Sequence, residues 1–568
     1  MAFTDAQALG QAGQGFAGRD FRGGLHRSEQ RMLRDRRRLR RGIKPAQQLQ
    51  QLCGSHHAQD SFGLCRRVSA PPRGNLVAQA ELLAGYLREE NHFDVETGLA
   101  GGGDIHLDLS LPTRPLPPKL AEAGFADEAY RLTVTPEQIL ISSSLPAGVA
   151  RGIQSLRQLL SGQRAQLSVP GMEIDDAPAL GWRGLHLDVS RHFRDAIDVK
   201  RFIDLAAYHK FNLFHWHLTD DQGWRLPITG YPRLAEIAAW RDGTLVGHDS
   251  DHAKNPTDDV RHGGSYTADE IRDVVACAAA RGVHILPEVD VPGHVQALVT
   301  AYPEFGNTGG APGVRQRWGI SASTLNLEPG TFAFLEKVVA TLVGLFPFHY
   351  LHFGGDEALA DEWAASPRIQ ERKRELGLAS DHDVQGHFTA RLRELTRARD
   401  RAMIGWDEII EHGQPPADTA VMLWRDSTRN NLQLDVKALR AGNPLVLANH
   451  AHTYFDAYQE TGPALAFGPL AIGGNLPVEK VYGWQPLAPY PAELRAGVLG
   501  AQAQLWTEYI PTRRHLDYMT YPRACALAQV LWTGEGRENG DTFALRLAEH
   551  LRRLDRLGAA YRPMSASL

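Results

Sequence analysis

The apolar positions of this chain change their period several times. From Leu76 to Glu90, leucine and alanine recur at the three- and four-residue intervals of a helix with one buried face. Asp104–Leu111, Tyr130–Val134 and Gln138–Ser142 alternate instead, as half-buried strands do, and Leu145–Leu160 returns to helical spacing. Together these predict a small α+β unit, closed by the Pro- and Asp-containing stretch 169–178, which reads as a linker. Beyond Leu180 the pattern becomes short apolar runs separated by helix-length sequence such as Ala268–Arg281 and Thr331–Leu345. The runs are Gly184–Val189, Asn212–Leu218, Val283–Val289, His349–Phe353, Ala402–Gly405, Ala420–Leu423, Pro444–Ala448 and Gly497–Gln504. Eight strands alternating with helices predict an α/β fold, a (β/α)8 barrel, preceded by the α+β domain. A doubly wound open sheet is the competing architecture, but no Gly-x-Gly-x-x-Gly follows an early strand to support it.

Composition alters this picture in one respect. At about 150 residues per domain, 568 residues suggest four domains, but one barrel absorbs most of the chain. The net charge of −5 is uneven: residues 1–60 hold eleven Arg or Lys and five Asp or Glu, leaving −11 on the remainder. The body is therefore acidic, which excludes a bulk-basic nucleic-acid binder, and no apolar run is long enough to span a membrane. The Arg-rich run at 31–41 is not followed by the apolar core of a secretory signal. Residues 1–74 are read as a basic, disordered segment, residues 75–170 as the small domain, and residues 180–568 as the barrel with C-terminal helices. Four cysteines (Cys53, Cys65, Cys277 and Cys525) are too few for a disulfide scaffold; Cys53 and Cys65 read equally well as a pair or as free thiols.

Function in a barrel collects where strands end. Here the ends read Asp188-Val-Ser-Arg-His-Phe, His215-Trp-His-Leu-Thr-Asp-Asp221, Glu288-Val-Asp-Val-Pro-Gly-His294 and Gly354-Gly-Asp-Glu357. Later ends add Trp406-Asp-Glu408, Trp424-Arg425, Tyr454-Phe-Asp456 and Trp506-Thr-Glu508. Adjacent Asp356 and Glu357 raise each other's pKa, and burial against aromatic walls raises it further, which is how a carboxyl group becomes a general acid. An N-cap for the next helix is the alternative role of an Asp after Gly-Gly. Trp406, Trp424 and Trp506, with Tyr454 nearby, suggest walls that stack on a sugar-like face, beside which Asp456 and Glu508 accept hydrogen bonds from hydroxyls. Alternation places His215 and His217 on one strand face, where they read as structural histidines or as supports behind the site, a metal site with His294 and Asp356 being the alternative. The aromatic walls are the more coherent feature, and no metal or other cofactor is expected. Loop 247–264, rich in Asp and His, reads as a solvated insertion, the alternative being a wall of outer subsites.

These motifs together resemble the β-N-acetylhexosaminidases of glycoside hydrolase family twenty, over roughly Asn75–Thr533. The stretches that carry the resemblance are Arg183–Phe193, Phe211–Arg225, Pro287–His294, His352–Ala358 and Gly405–Glu408. Arg225-Leu-Pro-Ile departs from the family pattern, which has a Glu after Trp-Arg. The resemblance implies an exo-acting, retaining enzyme that removes terminal GlcNAc or GalNAc, the substrate's own acetamido oxygen being the nucleophile. It implies Glu357 as acid and base, Asp356 as the group orienting the acetamido N–H, and Tyr454 on the acetamido oxygen. Trp406, Trp424 and Trp506 would line the acetamide pocket and stack on the sugar. Arg183, Asp456 and Glu508 would bind ring hydroxyls, although Arg183 precedes its apolar run and so falls near the wrong end of the barrel. His294, with Asp220 or Asp221, would tune the proton affinity of Glu357. The family is often exported, so localisation stays open between the cytoplasm and the exterior. A metal-dependent barrel hydrolase using His215 and His217, or a non-catalytic amino-sugar-binding protein, are the alternatives. The expected partner is a carbohydrate, with neither nucleic acid nor membrane; oligomeric state stays open.

Overall fold

The computed structural model describes residues 61–564, apart from 63–66, 73–75, 100–103, 161–168, 252–254, 412, 426–432 and 461–467. The Arg-rich run and both Cys53 and Cys65 lie outside the described residues. The small domain is a six-stranded sheet of β1 (Arg67–Ala70), β2 (Glu96–Leu99), β3 (Ile105–Asp108), β4 (Tyr130–Val134), β5 (Ile139–Ser143) and β6 (Met172–Asp176), ordered β2-β1-β3-β5-β4-β6. Strands β2, β1, β3 and β5 run parallel, and β4 pairs antiparallel with both β5 and β6. Helices Leu76–Asn91 and Pro146–Leu160 pack on this sheet and on each other, burying Leu83, Leu87, Ile153 and Leu156 against Val68, Ile105 and Ile141.

Two strands correct the sequence reading. β1 lies inside the segment expected to be disordered and ahead of the boundary at residue 75, with Val68, Ser69 and Ala70 buried. The four residues Arg67–Ala70 are too short a run to show a period. β6 falls in the stretch read as a linker; its half-buried Met172 and Ile174 alternate with outward acids, as an edge strand does.

All eight barrel strands form close to where the apolar runs predict them. They are β7 (Trp182–Asp188), β8 (Leu213–His217), β9 (His284–Glu288), β10 (Tyr350–His352), β11 (Ala402–Trp406), β12 (Ala420–Leu423), β13 (Leu445–Leu447) and β14 (Val498–Ala503). Each pairs in parallel with the next, and β14 pairs with β7, so the sheet closes and the open-sheet alternative falls. Between strands, local chemistry sets the helices. Thr267 and Glu270 form a reciprocal capping box at the start of Ala268–Ala280, whose Ile271, Val274 and Ala278 point inward. The lower barrel is filled by Trp182, Leu213, Leu286, Phe348, Tyr350 and Met422, leaving the opposite, C-terminal end for polar side chains.

Both layers belong to one compact unit spanning Ser61–Leu568. A buried ion cluster joins the small domain to the barrel floor: Glu128 accepts from Arg151 at 2.6 Å and from Arg183 at 2.7 Å. Among the described residues no helix is long and apolar enough to cross a membrane.

Candidate active site

Four neighbouring strands end on register partners: Asp188 of β7 stands beside His217 of β8, His217 beside Glu288 of β9, and Glu288 beside His352 of β10. The turn after β10 carries the acidic pair. Gly354, Gly355 and Glu357 all have positive φ, +55°, +91° and +50°. Gly354 is required there because a Cβ would lie 1.7 Å from Asp290 Oδ1. Gly355 N–H donates to that same Asp290 oxygen at 3.1 Å, and Trp406 N–H donates to Gly354 O at 2.9 Å, so the turn is pinned from two strands. The next helix, Asp361–Ala365, begins four residues beyond Glu357 with Ala360 at its cap, which removes the N-cap reading of the acidic pair.

His294 meets this pair. Its Nε2 is 3.5 Å from Glu357 Oε2 and 3.8 Å from Asp356 Oδ2, while its Nδ1 is 3.2 Å from Asp220 Oδ1 and 3.5 Å from Asp221 Oδ2. Burial disfavours charge on the imidazole, but the Asp220 carboxylate outweighs it and holds the His294 pKa well above its ordinary value. Burial pushes the Asp356 carboxyl up, with Glu357 and Glu288 adding to the rise and His294 opposing it. The side chain of Glu357 is 36% exposed, so it is open to a ligand while its neighbour is enclosed.

The aromatic residues gather as expected. Trp406 and Trp506 stand 5.9 Å apart between ring centroids, and Trp424 stacks on Tyr454 at 6.2 Å. Trp406 Nε1 donates to Glu288 Oε1 at 2.9 Å and Trp424 Nε1 to Glu408 Oε2 at 3.0 Å, which fixes both indole planes. Burial, then the nearby Glu508, pushes Asp456 up to about 8; burial also raises Glu508, against Arg191. Asp356 Oδ1, Asp456 Oδ1 and Glu508 Oε2 are buried and have no hydrogen-bond partner in the protein. Buried acceptors of this kind are costly unless a donor arrives, and these three would be satisfied by a polar ligand that supplies one.

Arg183 corrects the family-based assignment. It sits at the start of β7, on the barrel floor, where it donates to Glu128 Oε2 at 2.7 Å, Lys210 O at 3.0 Å and Leu180 O at 2.9 Å. The arginine at the mouth is Arg191. Asp188 Oδ1 accepts from Ser190 N–H and Arg191 N–H, at 2.7 and 3.1 Å, forming the turn that turns Arg191 inward. Its guanidinium lies 2.8 Å from Asp220 Oδ2 and 5.1 Å from the Trp506 ring centroid. Arg191 lies eight residues from Arg183 in the same motif, past the apolar run rather than before it, and that offset was the signal available in the sequence.

His215 and His217 do share one face, and what they face is Glu288, at 3.1 and 2.6 Å. Glu288 also meets His352 Nδ1 at 3.0 Å, and Gln502 Nε2 donates to His215 Nδ1 at 2.8 Å. His217 has a hydrogen-bond partner on each ring nitrogen, Glu288 and Asp220, which favours the hydrogen-bonded reading for that ring, whereas His215 Nε2 makes no hydrogen bond among the described residues and converges with Glu288 and His352, their ligand atoms within 4.8 Å of one another. Glu288 and Glu408 are acids at the site that the sequence reading left unassigned. The loop read as a solvated insertion is exposed at residues 258–261, and its Asp258, Val260 and His262 also line a cavity of about 440 Å³ together with Trp318, Tyr509 and Glu508.

The family model "Glycosyl hydrolase family 20, catalytic domain" matches residues 180–535, and "Glycosyl hydrolase family 20, domain 2" matches residues 48–177. The second match starts at residue 48, well before Asn75. A β-hexosaminidase of Porphyromonas gingivalis is 34% identical over 90% of this chain and 63% of its own length. One of Vibrio furnissii is 35% identical over 70% of this chain and 64% of its own, so the chain spans less than two thirds of either relative. The structure of a GH20 exo-β-N-acetylglucosaminidase of Vibrio harveyi in complex with N-acetylglucosamine superposes with a TM-score of 0.75 at 32% identity, covering 90% of this chain and 76% of that one. The chain belongs to glycosyl hydrolase family 20.

Proposed function

We propose that the protein is an exo-acting, retaining β-N-acetylhexosaminidase that releases terminal non-reducing GlcNAc or GalNAc by substrate-assisted catalysis. The observation that carries this reading is the Asp356–Glu357 pair on one pinned turn, bridged by His294 and faced by an aromatic wall. Glu357, exposed and beside the His294 imidazolium, protonates the glycosidic oxygen as the C1–O bond breaks. The substrate's acetamido oxygen attacks C1 from the other face, giving an oxazolinium ion, so no protein nucleophile is needed. Asp356 accepts from the acetamido N–H and balances the developing positive charge, while Tyr454 donates to the acetamido oxygen. Glu357, now a carboxylate, takes a proton from the water that attacks C1; the ring opens and the β-configured sugar is released with its acetamide restored. Trp406, Trp424 and Trp506 enclose the acetamide and the sugar face. Arg191, Asp456 and Glu508 hold ring hydroxyls, Arg191 taking the part the family resemblance had given to Arg183.

The test is turnover of a chromogenic β-GlcNAc glycoside by the wild type, Glu357→Gln and Asp356→Asn. Hydrolysis by the wild type with β-GlcNAc as first product, and loss of roughly 10²–10⁴-fold in each variant, is expected. Wild-type turnover in both variants overturns the mechanism. Tight binding of GlcNAc-thiazoline without hydrolysis would make the protein a sugar binder, and activity lost to a chelator and restored by zinc would favour the metal-dependent class.

A further inference from the structure

The His215-Trp-His217 motif leads to a second carboxylate that the mechanism above does not use. Glu288 ends β9 at the centre of the barrel mouth and is fully buried. A row of groups of alternating charge runs from it to the acidic turn. Glu288 Oε2 is 2.6 Å from His217 Nδ1, His217 Nε2 is 3.0 Å from Asp220 Oδ2, Asp220 Oδ1 is 3.2 Å from His294 Nδ1, and His294 Nε2 is 3.5 Å from Glu357 Oε2. Both ring nitrogens of His217 therefore face carboxylate oxygens, and with both acids ionised an imidazolium satisfies them, since a neutral ring has a single N–H. The other oxygen of Glu288 accepts from Trp406 Nε1 at 2.9 Å, so the same side chain also anchors a wall of the sugar site.

We propose that Glu288 is a positioning residue for the general acid: it holds His217 as a cation that fixes Asp220, and Asp220 in turn aims His294 at Glu357. Each member is desolvated and depends on the opposite charge beside it, so a change at Glu288 is felt at Glu357 four groups away. The surroundings agree with this assignment. Burial lowers the pKa of His217, but Glu288 and then Asp220 overcome it and hold it well above its ordinary value. Burial raises Glu288 and Asp220, yet His352 and His217 hold Glu288 well down, and Arg191 and His294 do the same for Asp220. The remaining groups facing the row are His186, 4.0 Å from Glu288 and kept neutral by burial, His215 and His352 against Glu288, and Asp221, Asp290 and Asp356 around His294.

The inference rests on Glu357 being the acid, and its test separates the two. The pH dependence of kcat/KM for an aryl β-GlcNAc glycoside is measured for the wild type, Glu288→Gln and His217→Gln. Glu288→Gln keeps an acceptor for Trp406 but removes the anion that holds His217 protonated, and His217→Gln removes that cation outright, so both variants lose the positive charge beside Asp220 and the basic limb moves up in both. Each shift is expected to be roughly 0.5–1 pH unit, with kcat falling more than KM changes. A purely structural role would lower activity or stability without moving the limb in either variant. Limbs that coincide with the wild type, or that move down or in opposite directions, overturn the inference. If instead Glu357→Gln turns over like the wild type, the assignment of the acid fails first. Should either Gln variant fail to fold, 15N-histidine NMR of the unmutated protein decides: buried imidazolium rings persisting above about pH 8 are expected, and buried rings that are all neutral at about pH 6 overturn it.

Discussion

His294 Nε2 stands 3.5 Å from Glu357 Oε2, and both residues hold positive φ, +52° and +50°. Left-handed backbone costs a non-glycine residue roughly 1–2 kcal/mol, so neither conformation persists without tight surroundings. Here the surroundings are the Gly355–Asp290 hydrogen bond on one side and the Asp220–Asp221 pair on the other. The acid and its imidazole are therefore presented by two constrained turns rather than by flexible loops.

That constraint makes Gly354 a sensitive position. In Gly354→Ala the new methyl group would lie 1.7 Å from Asp290 Oδ1 on backbone at φ +55°. The turn must move, and a displacement of about 1 Å at the reacting groups costs on the order of 10²-fold. The expected result is a folded variant with kcat reduced at least tenfold, checked by kinetics alongside circular dichroism; unchanged kcat would contradict it.

In the proposed mechanism Asp356 acts as a carboxylate, and its pKa is raised, by burial before the neighbouring acids. A raised pKa keeps the group protonated to higher pH. Activity should therefore fall on acidification through a value above the usual aspartate range of about 3.9. The acid limb of kcat/KM measured with an aryl glycoside shows this directly. The limb should be absent from the residual activity of Asp356→Asn.

Asp456, pushed up to about 8, is mostly a neutral carboxylic acid at pH 6. Asparagine imitates that form. Asp456→Asn should keep KM within roughly threefold of the wild type at pH 6. The two should diverge at about pH 9, where the native group is ionised. Equal loss at both pH values would show that the native group is ionised throughout.

The two arginines of the β7 motif should separate cleanly. Arg191→Met removes the guanidinium proposed to hold sugar hydroxyls and should lower kcat/KM by roughly 10–10²-fold. Arg183→Met breaks a buried ion pair and leaves Glu128 with Arg151 alone, which should cost up to about 3–5 kcal/mol of stability. Its KM should be unchanged. Denaturant unfolding and steady-state kinetics on both variants check the contrast.

The barrel was legible because its strands are buried on both faces and read as continuous apolar runs between helices of clear period. β1 and β6 were not, being short or half-exposed, with their pairing set by residues far along the chain. Asp356 and Glu357 were legible because the acidic pair stands at a strand end after two glycines. Arg183 and Arg191 were confused because a motif shows spacing but not which end of a strand faces the ligand. Glu288 was missed for a related reason. Its histidine partners His215, His217 and His352 lie more than sixty residues away in sequence, and only the parallel pairing of β8, β9 and β10 brings them to one carboxylate.

The Glu128–Arg151–Arg183 cluster bears on how this protein can be cut or recombined. Arg183 belongs to the barrel and Glu128 to the sheet domain, while Arg151, from the sheet domain, also donates to Phe211 O and Gly282 O of barrel loops. Excising the barrel would open Arg183 and two loop carbonyls to water without the partners that now organise them. The barrel is therefore not a portable module: grafting it onto another scaffold, or trimming the chain to it, requires either keeping the sheet domain or rebuilding that underside as a polar surface first.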